Sequence, residues 1–107
     1  MHGSTIRHTV VFTLKHESES PEARKFLREG ERILAGIPGV QNFECLRQIS
    51  PKNSFQYGFS MEFQDQSAYD AYNQHPDHLA FVADRWIPEV KEFLEIDYTN
   101  RDKNVSP

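Results

Sequence analysis

Residues 55–64 show the strictest alternation in the chain, and this pattern constrains the fold most. Large apolar side chains occupy every second position, with Gln, Gly, Ser and Glu between them. A repeat of two residues is that of a strand whose successive side chains face opposite sides of a sheet. Residues 6–15 alternate in the same way. The chain is therefore expected to build a sheet around these two strands.

A helix is predicted between the first strand and the next. Ser20 and Pro21 form a cap followed by a first-turn proline, and apolar residues recur at helical spacing over residues 23–34. Gly36 with Pro38 beyond it is a typical helix end. The helix should therefore run from Pro21 to just before Gly36.

A second strand is predicted at residues 40–49, with Phe43, Cys45 and Ile49 on one face. Residues 51–54, which are Pro, Lys, Asn and Ser, have turn composition. Strands two and three should therefore form a hairpin.

The last third of the chain is predicted to contain a divided helix and a final strand. A short helix should end near His75, because a residue that precedes proline avoids helical geometry. Pro76 then begins a second helix, which we expect to include Val90. The final strand is expected at residues 93–98.

The resulting β-α-β-β-α-β order predicts an α+β, ferredoxin-like subunit with a four-stranded antiparallel sheet. Helices cover only one face of such a sheet, and the other face is half apolar here. Packing two such faces together would bury them, which predicts a homodimer that closes a dimeric α/β barrel. We expect one domain at residues 5–99 and a flexible C-terminal tail at residues 100–107.

Composition excludes several classes of protein. Lys and Arg number 12 against 16 Asp and Glu, so the basic surplus of a nucleic-acid binder is missing. No apolar run is long enough for a membrane span or a signal peptide, so we expect a cytoplasmic protein without membrane contact. The single cysteine, Cys45, cannot form an internal disulfide.

The main candidate site consists of Tyr72, His75, Pro76, Asp77 and His78, with His8 as a more distant member. His8 shares a strand face with apolar residues that should point toward the helices. Pro76 places His78 in the first turn of a helix, where the dipole disfavours a protonated imidazole. His78 could then act as a base while the Tyr72 hydroxyl polarises a ligand carbonyl.

The same residues also fit a purely structural interpretation. His75 would cap the helix, His78 would bond to a backbone carbonyl, and Tyr72 would be a core residue. A metal site at His75 and His78 is a further alternative, but no third ligand is assured, and we predict no metal and no cofactor.

Three segments carry a resemblance to a known family: Ile-Arg-His-Thr-Val-Val-Phe at 6–12, Ile-Pro-Gly-Val at 37–40 and Tyr-Asn-Gln-His-Pro-Asp-His at 72–78. Together they resemble the stress-responsive A/B barrel, or Dabb, family, over residues 6–98. The resemblance implies a ferredoxin-like subunit and a dimer that closes a β barrel. It agrees with the two-faced sheet expected from the alternation.

The resemblance also implies candidate roles. In one plant member, olivetolic acid cyclase, a linear polyketide is closed by an aldol step, and its working residues correspond to Tyr72 and His78. Supporting histidines correspond to His8 and His75, and Tyr57 stands where that enzyme has a pocket histidine. We therefore take Tyr72 and His78 as candidate catalytic residues, and His8, Tyr57 and His75 as candidate ligand-binding residues.

Three functions remain open from the sequence. The first is a non-catalytic dimeric module that binds a small apolar or carbonyl ligand, or that only stabilises cells under stress. The second is a cofactor-free polyketide cyclase or lyase that uses a Tyr/His acid–base pair. The third, which follows from fold analogy alone, is a cofactor-free monooxygenase.

Overall fold

The computed structural model describes residues 5–101 and has the predicted architecture. Four antiparallel strands form one sheet in the order β2-β3-β1-β4, with the helices on one side. This is the ferredoxin-like α+β arrangement expected from the sequence. The elements are β1 (Ile6–Leu14), α1 (Pro21–Ala35), β2 (Gln41–Arg47), β3 (Tyr57–Phe63), α2 (Gln66–Gln74), α3 (Pro76–Phe81), a π-helical segment (Val82–Trp86), α4 (Ile87–Glu89) and β4 (Val90–Thr99).

The two strands with strict alternation lie at the centre of the sheet. β1 and β3 pair antiparallel, with His8 opposite Met61 and Phe12 opposite Tyr57. Their helix-facing side chains are almost completely buried, as the alternation predicts. They pack against apolar residues of the helices in one aromatic-rich core, which includes Phe12, Phe26, Phe59, Phe63 and Phe81.

Side-chain caps fix where the helices begin. The Ser20 hydroxyl accepts a hydrogen bond from the Ala23 amide at 3.2 Å, and Pro21 occupies the first turn of α1. The Asp65 carboxylate accepts one from the Ala68 amide at 2.9 Å at the start of α2. These bonds satisfy backbone donors that have no partner inside the helix.

The prediction for strand two was too long at its C-terminal end. β2 ends at Arg47, opposite the first residue of β3, and only one more backbone bond follows, from Gln48 to Gln56. Ile49 lies beyond this ladder and is 87% exposed. Phe43 and Cys45 pack against the core on a shared face, as predicted.

The boundary between the last helix and strand was also misplaced. Val90 is extended and pairs with Leu14, so it is the first residue of β4 rather than part of a helix. The preceding π-helical segment, in which the Ile87 amide bonds to the Val82 carbonyl, widens the helix just before Pro88. Because proline lacks an amide hydrogen, the helix cannot continue regularly beyond this point.

The sheet face away from the helices carries an apolar patch on β4. Leu94, Ile96 and Tyr98 point to this side and are all more than one third exposed. We call them the outer-face patch. No helix within residues 5–101 is long and apolar enough to cross a membrane. The tail that we expected to be flexible falls largely on residues 102–107, which lie outside the described part of the chain.

Candidate functional site

A cavity of about 390 Å³ lies between the helix-facing side of the sheet and the segment from α2 to α4. Most of its wall is apolar and includes Val10, Phe59, Met61, Phe81, Trp86 and Phe93. Its polar lining comes from His8, Tyr72, Asn73, His78 and Glu95. An apolar chamber with a few convergent polar groups is typical of a small-molecule site.

Tyr72 contributes an unpartnered hydroxyl to this cavity. The residue is only 2% exposed, and its ring packs against those of Phe63 and His78. Within residues 5–101 its hydroxyl forms no hydrogen bond. Every side-chain polar atom there that is itself buried does have a hydrogen-bond partner, so the Tyr72 hydroxyl oxygen is not buried. The hydroxyl must therefore reach open space, which is the cavity that Tyr72 lines. Burial raises the pKa of Tyr72, so the group stays protonated as a donor.

His78 presents a nitrogen lone pair beside Tyr72. Its Nδ1 lies 3.2 Å from the Asn73 carbonyl oxygen, which can only accept, so Nδ1 carries the proton. In the neutral ring Nε2 is then an acceptor. Burial lowers the pKa of His78, which favours this neutral form. The ring centroids of Tyr72 and His78 are 4.6 Å apart.

His8 is held by two residues that the sequence analysis did not select. Its Nδ1 lies 2.6 Å from the Asp97 Oδ1, and the Tyr69 hydroxyl donates to the Asp97 Oδ2 at 2.8 Å. The carboxylate accepts from the His8 Nδ1–H, so in the neutral ring the His8 Nε2 is an acceptor. His8 is 6% exposed and lines the cavity.

The structure brings His8, Tyr72 and His78 together but separates the other two candidates from them. The His75 Nδ1 accepts a hydrogen bond from the Asp77 amide at 3.1 Å, so this side chain caps α3. The Tyr57 hydroxyl accepts from the Glu19 amide at 2.8 Å and donates to its carboxylate at 2.9 Å. Neither residue lines the cavity.

The described residues do not suggest metal or thiol chemistry. Within residues 5–101 no group of three or more His, Cys, Asp or Glu side chains is arranged to hold a metal ion. Burial raises the pKa of the Cys45 thiol to about 11, so this cysteine remains protonated near neutral pH and is a poor nucleophile.

Polar contacts anchor the outer part of the cavity wall. The Arg85 guanidinium binds Glu89 at 2.7 Å and also binds Glu29 of α1. His16 binds the other oxygen of Glu89 at 2.8 Å. The π-helical segment and α4 are therefore tied to both α1 and the loop after β1, which holds Trp86 over the cavity.

Sequence reasoning missed Asp97, Tyr69 and Glu95. A signal was present for the two acidic residues, since both interrupt the apolar composition of the last strand at positions two apart. Two-residue spacing places both on one face. Which face it is depends on the pairing of β4 with β1, which sets Asp97 opposite His8.

The fold and the cavity define a ferredoxin-like protein with a cavity on the helix side of its sheet. The chain belongs to the stress-responsive A/B barrel domain family, Dabb, whose model matches residues 6–100. A stress-response A/B barrel domain-containing protein from Arabidopsis thaliana is 32% identical over 84 residues, which span 75% of this chain and 73% of that protein.

Solved structures agree with this assignment. A Dabb family protein with a ferredoxin-like fold from Mesorhizobium loti is 63% identical, covers 91% of this chain and 97% of its own, and superposes with a TM-score of 0.89. A dimeric ferredoxin-like protein of unknown function from Thermobifida fusca is 19% identical, with 92% of each chain covered and a TM-score of 0.74. Dimers therefore occur among proteins that share this fold.

Proposed function

We propose that the protein binds a small, largely apolar carbonyl compound in the helix-side cavity and catalyses proton transfer on it without a cofactor. One observation carries this proposal. The cavity holds a donor without a protein partner, the Tyr72 hydroxyl, beside a base with a free lone pair, the His78 Nε2. A carbonyl compound with hydrogen on the adjacent carbon needs one group of each kind.

The reaction begins when the Tyr72 hydroxyl donates a hydrogen bond to the substrate carbonyl oxygen. The His78 Nε2 removes a proton from the adjacent carbon, and the electrons of that C–H bond pass into an enolate that Tyr72 stabilises. The enolate carbon then attacks a second carbonyl of the same molecule. The imidazolium returns its proton to the new alkoxide, which completes an aldol step.

This chemistry is of the kind implied by the resemblance to olivetolic acid cyclase. His8 supplies a second acceptor in the same cavity, and Asp97 holds its tautomer. The apolar wall keeps water from the enolate, and exclusion of water strengthens the Tyr72 hydrogen bond. A volume of about 390 Å³ is within the range of small-ligand sites.

Hydrogen exchange tests the proposal without knowledge of the natural substrate. We would incubate the protein with 4-phenylbutan-2-one in D2O and follow loss of the protons next to the carbonyl by NMR. The expected result is exchange above the buffer rate, reduced at least about tenfold by His78→Ala and by Tyr72→Phe. Exchange that is equally fast with the wild type and both variants would contradict the proposal.

His75→Asn is the matched control for His78→Ala. His75 caps α3 outside the cavity, and asparagine is itself a good N-cap residue, so this variant should exchange at the wild-type rate. Saturable binding of the ketone without any exchange would contradict the catalytic part. The protein would then be the non-catalytic binding module.

We further propose that the protein is a homodimer formed through the sheet face that the helices leave open. The outer-face patch of Leu94, Ile96 and Tyr98 supports this, because a second copy can cover it symmetrically. Face-to-face packing of the two sheets would close the barrel that gives the family its name. The helix-side cavity lies on the opposite face and would stay accessible in such a dimer.

A further inference from the structure

Glu95 lies at the cavity between two residues whose side chains have protein partners. On the helix-facing side of β4, two-residue spacing places Phe93, Glu95 and Asp97 in a row. Phe93 packs against Trp86 at a centroid distance of 5.6 Å, and Asp97 binds His8. Glu95 lines the cavity between them.

No protein group neutralises Glu95. Within residues 5–101 its side chain has no hydrogen bond and no salt bridge, although its charge acts on Tyr72 and His78 across the cavity. The carboxylate is exposed at the cavity and unpaired. A free carboxylate beside an apolar chamber is a strong acceptor that a ligand can use.

The other free polar atoms of the cavity are mainly acceptors as well. In the neutral rings the Nε2 atoms of His8 and His78 accept, while the Tyr72 hydroxyl and the Asn73 side-chain amide can donate. A ligand that complements this lining places one acceptor, its carbonyl, at Tyr72. Elsewhere on its polar edge it must donate hydrogen bonds.

We propose that Glu95 determines the substrate class: a carbonyl compound that carries an ammonium or hydroxyl donor and no carboxylate. The reason is electrostatic. A ligand carboxylate near Glu95 would be repelled and would leave the acceptors of the cavity unpaired, whereas a donor would satisfy Glu95 directly. This inference rests on the proposed function, which locates the ligand site in the cavity. It adds the charge that the site prefers in its ligand.

Three probes of nearly equal shape test the preference: 3-phenylpropylamine, 3-phenylpropan-1-ol and 3-phenylpropanoate. Dissociation constants would be measured by NMR titration at about pH 8, where histidines with a pKa near 6.5 are neutral. The wild type should bind the amine at least about tenfold more tightly than the carboxylate, with the alcohol between them. Glu95→Gln should reduce the ratio of amine to carboxylate affinity to within about threefold.

Glu92→Gln is the control for the removed charge. Glu92 is exposed on the same strand, opposite Thr13 and outside the cavity, so its loss should leave the wild-type ratio unchanged. An equal drop in both variants would overturn the role of Glu95 and indicate a general charge effect. Equal wild-type affinity for all three probes would also overturn it, while leaving the proposed function intact.

A different result would contradict the proposed function, namely the absence of any binding at the cavity. If neither these probes nor 4-phenylbutan-2-one shifts a resonance of Tyr72, His78 or Trp86, the cavity is not a ligand site. The charge preference then fails together with it.

Discussion

His8 and Asp97 lie opposite each other on neighbouring strands, and the His8 Nδ1 is 2.6 Å from the Asp97 Oδ1. This contact joins the third residue pair of β1 and β4 and orients an imidazole that is buried in the cavity lining. Tyr69 supports it from α2 by donating to the same carboxylate. The polar end of the cavity is therefore fixed by contacts across the sheet and from the helix layer.

Asp97→Ala should change the tautomer populations of the neutral His8 ring. Without the carboxylate, Nδ1–H loses its acceptor, so the Nε2–H form should gain population. The ¹⁵N chemical shifts of the two His8 nitrogens at neutral pH measure this change. Wild type and Glu92→Ala should both show the Nδ1–H form, and an unchanged His8 spectrum in Asp97→Ala would refute the assigned orientation.

Tyr69→Phe and Tyr72→Phe should differ in their effect on the free energy of unfolding. The Tyr69 hydroxyl binds Asp97 and His8, so its removal should cost about 1 kcal/mol. The Tyr72 hydroxyl has no partner among the described residues, so its removal should change stability by less than about 0.5 kcal/mol. Urea denaturation measures both, and equal losses would show that Tyr72 has a structural role.

The His78 imidazole should titrate below the ordinary histidine pKa of about 6.5, because burial disfavours its charged form. Between the lowered folded pKa and 6.5 the unfolded state binds more protons. This group's contribution to stability should therefore be lost as the pH falls through that window. NMR titration of the His78 ring proton measures the pKa, and a midpoint above 6.5 would disagree with the buried environment.

Ile96→Lys should weaken the proposed homodimer. Ile96 belongs to the outer-face patch, and a lysine there would place a charge in an interface that must be apolar to form. The dimer dissociation constant, from sedimentation equilibrium, should rise at least about tenfold. Ile49→Lys is the control, because Ile49 is exposed beyond the end of β2. If the wild-type protein sediments as a monomer, the proposed homodimer is wrong.

Most of the fold could be predicted, because β1 and β3 show the two-residue alternation that their place at the centre of the sheet requires. β1 and β3 alternate strictly since one face of each meets the helices, and the Ser20 cap fixes α1 locally. The errors at Ile49 and Val90 have a different origin. Ile49 could belong to a strand or to the loop after it, and Val90 could belong to a helix or to a strand. Only the point at which the partner strand ends decides where each element stops or begins.

The candidate site was predictable where its residues share one sequence motif. Tyr72 and His78 flank the start of α3, so Pro76 brings them together by local geometry. Tyr57 shares the helix-facing side with Met61 but lies four residues away along β3, which is about 13 Å. Asp97 and Glu95 required the register of β4 against β1, which no local pattern specifies.

The most direct test of an acid–base cavity is a crystal structure of the protein with 4-phenylbutan-2-one. The account predicts the ketone in the helix-side cavity, its phenyl ring on the apolar wall near Trp86. Its carbonyl oxygen should accept from the Tyr72 hydroxyl, with the carbon beside the carbonyl next to the His78 Nε2. A ketone bound only outside this cavity, or one whose carbonyl points away from Tyr72, would contradict it.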